Sequence, residues 1–306
     1  MPSFIEGLIR EVKMNITASQ VKELRQQTGC GMMDCKKALM EANGDMEQAN
    51  EILRKKGIAK AAKKADRVAA EGVIAFKKAA DNRSAVMIEV NSETDFVARD
   101  ENFLHFVATV TEQALQGCVD NVATLMDTTI ASGKTIEQVR QELIAKIGEN
   151  INVRRVTYIT TQGLIGAYLH SNRIGVLVSV LDGDAELAKD IAMHVAAAKP
   201  LVVMADQIAP ELLAKEREIY RAQALESGKP ENIVEKMVEG RIKKYLDEVC
   251  LLGQPFVKNP EITVAQLLKT KQAQVEKFVR FELGEGIEKK TENFAAEVNA
   301  IASGNA

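Results

Sequence analysis

An α+β fold carrying an inserted helical arm is predicted by three features of the sequence. The first is a pair of similar segments, each reading strand, Asn-Arg turn, strand and helix. The second is a run of short capped helical patterns ahead of them. The third is a charged two-helix stretch punctuated by prolines. Together they give an N-terminal three-helix module, a core of two related subdomains, a helical-hairpin (coiled-coil) arm and a C-terminal helix. Each core subdomain is expected to hold an antiparallel sheet with helices on one face.

The elements follow in order. Residues 1–13 carry Phe4, Ile5, Leu8, Ile9 and Val12, which could share a helix face, but Glu6 and Arg10 interrupt any signal-peptide pattern. Met14 opens a more natural start, so 1–13 read as an upstream extension. Residues 14–66 form the first module. Ser19 is placed to cap a first helix with Val21 and Leu24 on one face, and Thr28–Gly31 make a turn. A second helix from about Met33 to Ala42 turns Cys35, Leu39 and Ala42 inward, and Asn43-Gly44 end it through left-handed backbone. Asp45 and Gln48 give a capping-box pattern for a third helix, which packs Ala49, Ile52 and Leu53 and is expected to stop at Gly57. A module of this size and kind resembles a ubiquitin-associated domain. The basic, Ala-rich tract Lys55–Arg67 reads as a solvated helical linker rather than a phosphate-binding tract.

The duplication comes next. Gly72-Val-Ile-Ala leads to Asn82-Arg-Ser-Ala-Val-Met-Ile-Glu-Val90, and Gly163-Leu-Ile-Gly leads to Asn172-Arg-Ile-Gly-Val-Leu-Val-Ser-Val180. A helix including Phe103–Leu115 follows the first copy, and one including Leu187–Ala198 follows the second. Between them Thr135-x-x-Gln138 caps a helix ending near Gly148, and INVRRVTYI is expected to start the second sheet. This sets core subdomains at 67–153 and 154–288. The arm, at about 210–249, begins with Pro210 and turns at Gly228 and Pro230. Its thin apolar stripe uses Leu213, Tyr220 and Ala224 on one side and Ile233, Met237 and Tyr245 on the other. A strand-like FVRFEL, Phe278–Leu283, precedes a closing helix in 289–306 with Phe294, Val298 and Ile301.

Composition narrows function. Aromatics are 4% with no Trp, and the net charge is −3. Neither stacking platforms for bases nor a basic footprint for nucleic acid is present. No apolar run approaches the roughly 20 residues of a membrane span. Four cysteines without CxxC spacing and three scattered histidines suggest reduced, structural thiols in a cytoplasm and no metal constellation. A thiol or metal enzyme using Cys30 and Cys35 would lack a nearby base and a Gly-rich cofactor loop. A binding module for ubiquitin-like tails or nucleic acid would leave the duplicated core unexplained.

The segment NSETDFVARDENF, Asn91–Phe103, places one large ring, Phe96, among Glu93, Asp95, Arg99, Asp100 and Glu101. It lies between an apolar strand and an apolar helix. Phe96 reads as standing at a helix start, with Thr94 or Asp95 as the cap. A residue so placed either packs inward as a staple or faces out toward a partner.

Several stretches resemble bacterial elongation factor Ts. They are TGCGMMDCKKALMEANGD (Thr28–Asp45), ETDFVARDENF, KIGENINVRR (Lys146–Arg155), HSNRIGVLV (His170–Val178), AMHVAAAKP (Ala192–Pro200) and VEGRIKKYLDEVCLLGQPFV (Val238–Val257). The likeness runs in the family's order from Met14 to about Ala302. Residues 1–13 lie outside it, and Cys30 stands where a small residue is usual. The resemblance implies guanine-nucleotide exchange on elongation factor Tu, the GTPase that carries aminoacyl-tRNA, with no covalent catalysis and no cofactor. It implies that Thr94, Asp95, Phe96 and Val97 dislodge the partner's Mg²⁺, with Phe96 as wedge and Asp95 as helper. It sets His170 against the elements that support the partner's phosphate loop. It has Arg25, Met32 and Met33 touch a helix of the GTPase domain. Met32 and Met33 are consecutive, so both cannot face a core, while Lys36 and Lys37 read as solvating residues. No direct nucleic-acid or membrane partner is expected, and dimerisation through the arm stays open.

Overall fold

The protein is described by a computed structural model of residues 16–288, Ser227 and Lys229 excepted. The upstream extension and the expected closing helix with Phe294, Val298 and Ile301 lie outside the described residues. In chain order the elements are α1 (Ala18–Thr28), α2 (Met32–Glu41), α3 (Met46–Lys64), β1 (Glu71–Lys78), β2 (Ser84–Ser92), α4 (Glu101–Gln116), α5 (Val122–Asp127) and α6 (Ile136–Ile147). Then follow β3 (Asn152–Thr160), β4 (Leu164–His170), β5 (Ile174–Leu181), α7 (Ala185–Ala198), α8 (Pro210–Leu225) and α9 (Glu231–Val249). The small strands β6 (Pro255–Phe256) and β7 (Asn259–Thr263), helix α10 (Val264–Thr270) and β8 (Gln274–Glu282) complete the α+β fold. Among the described residues no helix is long and apolar enough to cross a membrane.

The described residues divide into two compact units: 16–67 with 137–151, and 68–136 with 152–288. In the first, Val21, Leu24, Cys35, Ala38, Leu39, Ala42, Ala49 and Leu53 form the core between α1, α2 and α3. The cap of α1 is Thr17, not Ser19. Its hydroxyl accepts from the Gln20 N–H at 3.2 Å while the Gln20 side chain accepts from the Thr17 N–H at 3.0 Å. That reciprocal pair satisfies two end donors at once, which Ser19, inside the first turn, cannot do. Asn43 and Gly44 take positive φ as expected.

Gly57 does not stop α3. The helix runs on through IAKAAKK to Lys64, because Ala and Lys are strong helix formers and Ala61 is buried. Gly57 serves close packing instead, since a Cβ there would lie 3.4 Å from the Ala145 methyl of α6. The Lys64 ammonium donates to the Gly148 carbonyl, and the Asn150 amide donates to the carbonyls of Ala65 and Arg67 (3.2 and 2.8 Å). The Lys-rich tract is thus one flank of a helical unit that includes α6.

The second unit holds two three-stranded antiparallel sheets, β1-β2-β3 and β4-β5-β8. β3 pairs with β2 and completes the first sheet; INVRRVTYI does not start the second. The third strand of that sheet is β8, reached only after the arm. The two copies are related down to single hydrogen bonds. The Ile74 N–H donates to the Asn172 carbonyl and the Ile165 N–H to the Asn82 carbonyl, each at 2.8 Å. The Leu283 N–H donates to the Arg173 carbonyl at 2.8 Å and the Thr161 N–H to the Arg83 carbonyl at 2.9 Å. Each hairpin turn is therefore clipped to the other copy, with Asn82 and Asn172 both left-handed. Gly72 and Gly163 match as well: a Cβ on either would fall 2.1 Å from the Val90 or Val180 carbonyl oxygen. Strand irregularities recur at Glu89/Val90 and Ser179/Val180.

Ile74, Ala85, Met87, Ile159, Ile165, Leu177, Phe281 and Leu283 fill the space between the sheets. Outer faces are covered by helices. α4 buries Phe103, Phe106, Val107 and Val110, and α7 buries Leu187, Ala188, Ile191 and Val195.

The arm, α8 and α9, is zipped by Ala224, Val234, Val238 and Ile242, with Leu213, Tyr220, Met237 and Leu246 half-buried beside them. Ile233 is exposed, contrary to the stripe read from sequence. Val234, Val238 and Ile242 recur every four residues and hold the inner face, which leaves Ile233 one position, about 100° of helix, off the seam. So small a seam adds little to the core. Shortening α8 and α9 equally across the Gly228 turn is expected to leave the main thermal transition within about 3 °C of the parent. Loss of that cooperative transition, followed by circular dichroism, would show the arm to be integral.

Candidate functional site

β2 delivers the TDFV segment. Its last residues are buried and tied down: the Asn91 amide donates to the Glu71 carbonyl (3.2 Å) and to the Glu89 carboxylate (3.1 Å). The buried Ser92 hydroxyl donates to the Thr94 carbonyl at 2.9 Å. Val97 then turns inward and is buried, whereas the Phe96 side chain is 80% exposed. The staple reading of Phe96 is thereby removed. The helix placement also needs correcting, because Phe96 precedes a single 3₁₀ turn, Val97–Arg99, and α4 begins only at Glu101. Asp100 caps α4, accepting from the N–H groups of Asn102 and Phe103 (2.8 and 3.2 Å). Asp95 instead pairs with Arg99 at 3.1 Å on the surface. Three 3₁₀ residues between two fixed points make a short, stiff pedestal for the ring.

His170 ends β4 and is exposed; its Nδ1 lies 3.3 Å from the Tyr168 hydroxyl, and the two rings stack at 6.3 Å. Ser171 and Asn172 take φ of 50° and 57°, which tightens the turn. This turn is joined to the TDFV segment. Beyond the Asn172 clip to Ile74, the Arg173 guanidinium meets the Glu71 carboxylate at 2.7 Å. Glu71 stands opposite Ser92 in the β1–β2 register. Two segments far apart in sequence thus share one end of the first sheet. Beside them a shallow cleft is lined by His170, Ser171, Arg173, Ile174, Glu282 and Leu283.

In the other unit, Met32 and Met33 are 59% and 63% exposed, so neither enters the module core. Arg25, on α1, is exposed too, as are Lys36 and Lys37. Met40, which sequence reasoning passed over, is a further exposed methionine on α2. Unbranched thioethers in such numbers make a soft apolar surface suited to packing on another protein.

The remaining titratable groups build structure. His194 is buried between the Gln254 side chain (3.0 Å) and the Val257 N–H (3.2 Å), and burial lowers its pKa. His105 is exposed on α4. Burial pushes the Cys35 and Cys250 thiols up, away from reactive thiolate. Among the described residues no three His, Cys, Asp or Glu side chains are grouped to hold a metal ion. What the arrangement offers is contact: an exposed ring on a braced loop, an exposed histidine on a turn clipped to the same sheet, and exposed methionines on α2.

The feature that sequence reasoning missed is Glu89, fully buried under this end of the sheet. Its carboxylate meets Arg155 Nε at 2.6 Å, Arg154 at 3.1 Å and the Gly284 N–H at 2.9 Å. A single acid inside the apolar run AVMIEV, with an Arg pair in INVRRV, was the available signal.

Comparison with known proteins gives a consistent result. The profile of the family described as Elongation factor TS matches residues 93–285. The elongation factor Ts of Legionella pneumophila (strain Paris) is 58% identical over 285 residues, 93% of this chain and 98% of that protein. That of Thioalkalivibrio sulfidiphilus is 58% identical over 293 residues, 95% of this chain and all of its own. That of Hahella chejuensis is 57% identical over 290 residues, 94% of this chain and 99% of its own.

Proposed function

The chain belongs to the elongation factor Ts family of translation elongation factors, and on that premise we propose that it promotes GDP release from elongation factor Tu. The observation that carries this reading is Phe96, a large ring left 80% exposed on a braced loop. A GTPase holds its nucleotide through backbone N–H groups around the phosphates and through a Mg²⁺ ion bridging phosphate and protein. Mg²⁺ requires near-octahedral geometry, so small displacements of its ligands weaken it sharply. The Phe96 ring enters the partner beside that ion, with Thr94, Asp95 and Val97 fixing its approach. His170 presses on the elements under the phosphate loop. Arg25, Met32 and Met33 supply affinity from the N-terminal module, placed at residues 14–66.

No covalent step and no cofactor of this chain are needed. The factor must only bind the empty GTPase better than the loaded one. Nucleotide then weakens its binding by the same ratio. The test is release of labelled GDP from purified elongation factor Tu, with and without this protein. Acceleration that saturates with factor concentration is expected; release at the spontaneous rate would end the proposal.

His170→Ala should slow saturated release about two- to fivefold, the scale of losing one modest contact. Its melting temperature should be unchanged, because an exposed turn side chain carries little packing. An unaltered rate across the whole range of factor concentrations would remove His170 from the site.

A further inference from the structure

We infer that the Glu71–Arg173 ion pair positions the Phe96 loop and the His170 turn as one rigid body, an inference that rests on the exchange reading above. The fold's internal symmetry makes the pair stand out. The backbone clips come in matched sets: Asn172 to Ile74 answers Asn82 to Ile165, and Arg173 to Leu283 answers Arg83 to Thr161. These clips are what the duplicated fold needs. The ion pair is not matched. The residue equivalent to Glu71 is Gln162, and the one equivalent to Arg173 is Arg83, so no carboxylate–guanidinium pair can form between those equivalent positions. It has been added only at the end of the core that bears the exposed ring.

The pair is also well placed to transmit position. Glu71 lies opposite Ser92, whose hydroxyl holds the Thr94 carbonyl at 2.9 Å, two residues before Phe96. The Glu71 carbonyl receives the Asn91 amide, which is itself fixed by buried Glu89. On the other side Arg173 is three residues from His170. The Arg173 side chain is 50% exposed and that of Glu71 22%, so the pair adds little to global stability. A contact that contributes little to stability, and that one copy lacks, is accounted for by holding two partner-facing segments in register.

Glu71→Gln and Arg173→Gln should each lower the saturating GDP-release rate about five- to tenfold, as loss of positioning does. The factor concentration giving half the effect should barely change. Glu71→Asp should keep most of the rate, and the exchanged pair Glu71→Arg with Arg173→Glu should recover it. In a Phe96→Ala background, Arg173→Gln should slow release by less than in the parent, at most the roughly two- to fivefold ascribed to the His170 contact, because the ring is no longer there to position. Single variants that release GDP at the parental rate would overturn the inference. So would an exchanged pair as slow as the singles, or an Arg173→Gln effect undiminished by Phe96→Ala. Each of these leaves the exchange reading standing, since the parent protein still accelerates release. An inactive parent would instead remove that reading and the inference with it.

Discussion

Phe96→Ala is expected to fold like the parent and to lose most of its stimulated GDP release. The ring is 80% exposed, so its removal should shift unfolding free energy by no more than about 0.5 kcal/mol. A ring packed as a staple would cost about 3–5 kcal/mol, and the two readings separate in a urea titration before any partner is added. With elongation factor Tu present, saturated release should fall about 10- to 100-fold. The loss should be largest with Mg²⁺ in excess and smaller once a chelator has stripped the ion, because the ring's contribution is then already made. Asp95→Ala should give a weaker form of the same pattern, as Asp95 only tethers Arg99 beside the ring. A variant that folds well and exchanges at the parental rate in high Mg²⁺ would exclude the wedge.

Much of this architecture could be read from the chain because local rules and tertiary packing agree there. The duplicated Asn-Arg turns lie between strands whose apolar runs fill one core, so repeat, turn and burial gave the same answer. Disagreement arose where a contact distant in sequence outweighed a local signal. Gly57 reads as a stop, but α6 packs on it and the helix continues. INVRRVTYI follows the first repeat closely enough to be taken for the second sheet, yet its partner is β2. Ile233 and Val234 are both apolar, and only packing against α8 decides which enters the seam. The site divides in the same way. The sequence singled out Phe96 but left it open between an inward staple and an outward face, and it showed only that Met32 and Met33 could not both be core; packing decides that all three are exposed. The joining of the His170 turn to the strands that carry the TDFV loop was not legible, because it is made by contacts between residues about 100 positions apart, Ile74 with Asn172 and Glu71 with Arg173.

The largest stability effect is expected at Glu89, the buried carboxylate beneath the site. Glu89→Gln keeps the volume and one acceptor oxygen but removes the charge that faces two guanidinium groups. Arg155, Arg154, Asn91 and the Gly284 N–H all converge on that carboxylate. Breaking a buried charge pair from one side costs up to about 3–5 kcal/mol, and about 2–3 kcal/mol is expected here, since Arg154 and Arg155 stay behind a quarter exposed and still bonded to the Glu285 and Glu282 carbonyls. Acid should report the same group. Burial alone would raise the carboxyl's pKa, but the Gly284 N–H, the Arg155 guanidinium and the Asn91 amide outweigh it, and the net shift is downward. As pH falls, the unfolded chain therefore takes up this proton first, near the ordinary glutamate value of about 4.3. Stabilisation by Glu89 is complete above that value and declines as pH falls toward the lower folded one. In urea unfolding from pH 7 down to pH 3, the gap between parent and Glu89→Gln should be wide and flat near neutrality and narrow below about pH 4.3. A gap under about 1 kcal/mol at pH 7, or one that does not narrow in acid, would show that the four contacts do not hold a charged carboxylate. The brace under the Phe96 loop would then rest on the Glu71–Arg173 pair, the Ser92–Thr94 hydrogen bond and the backbone clips.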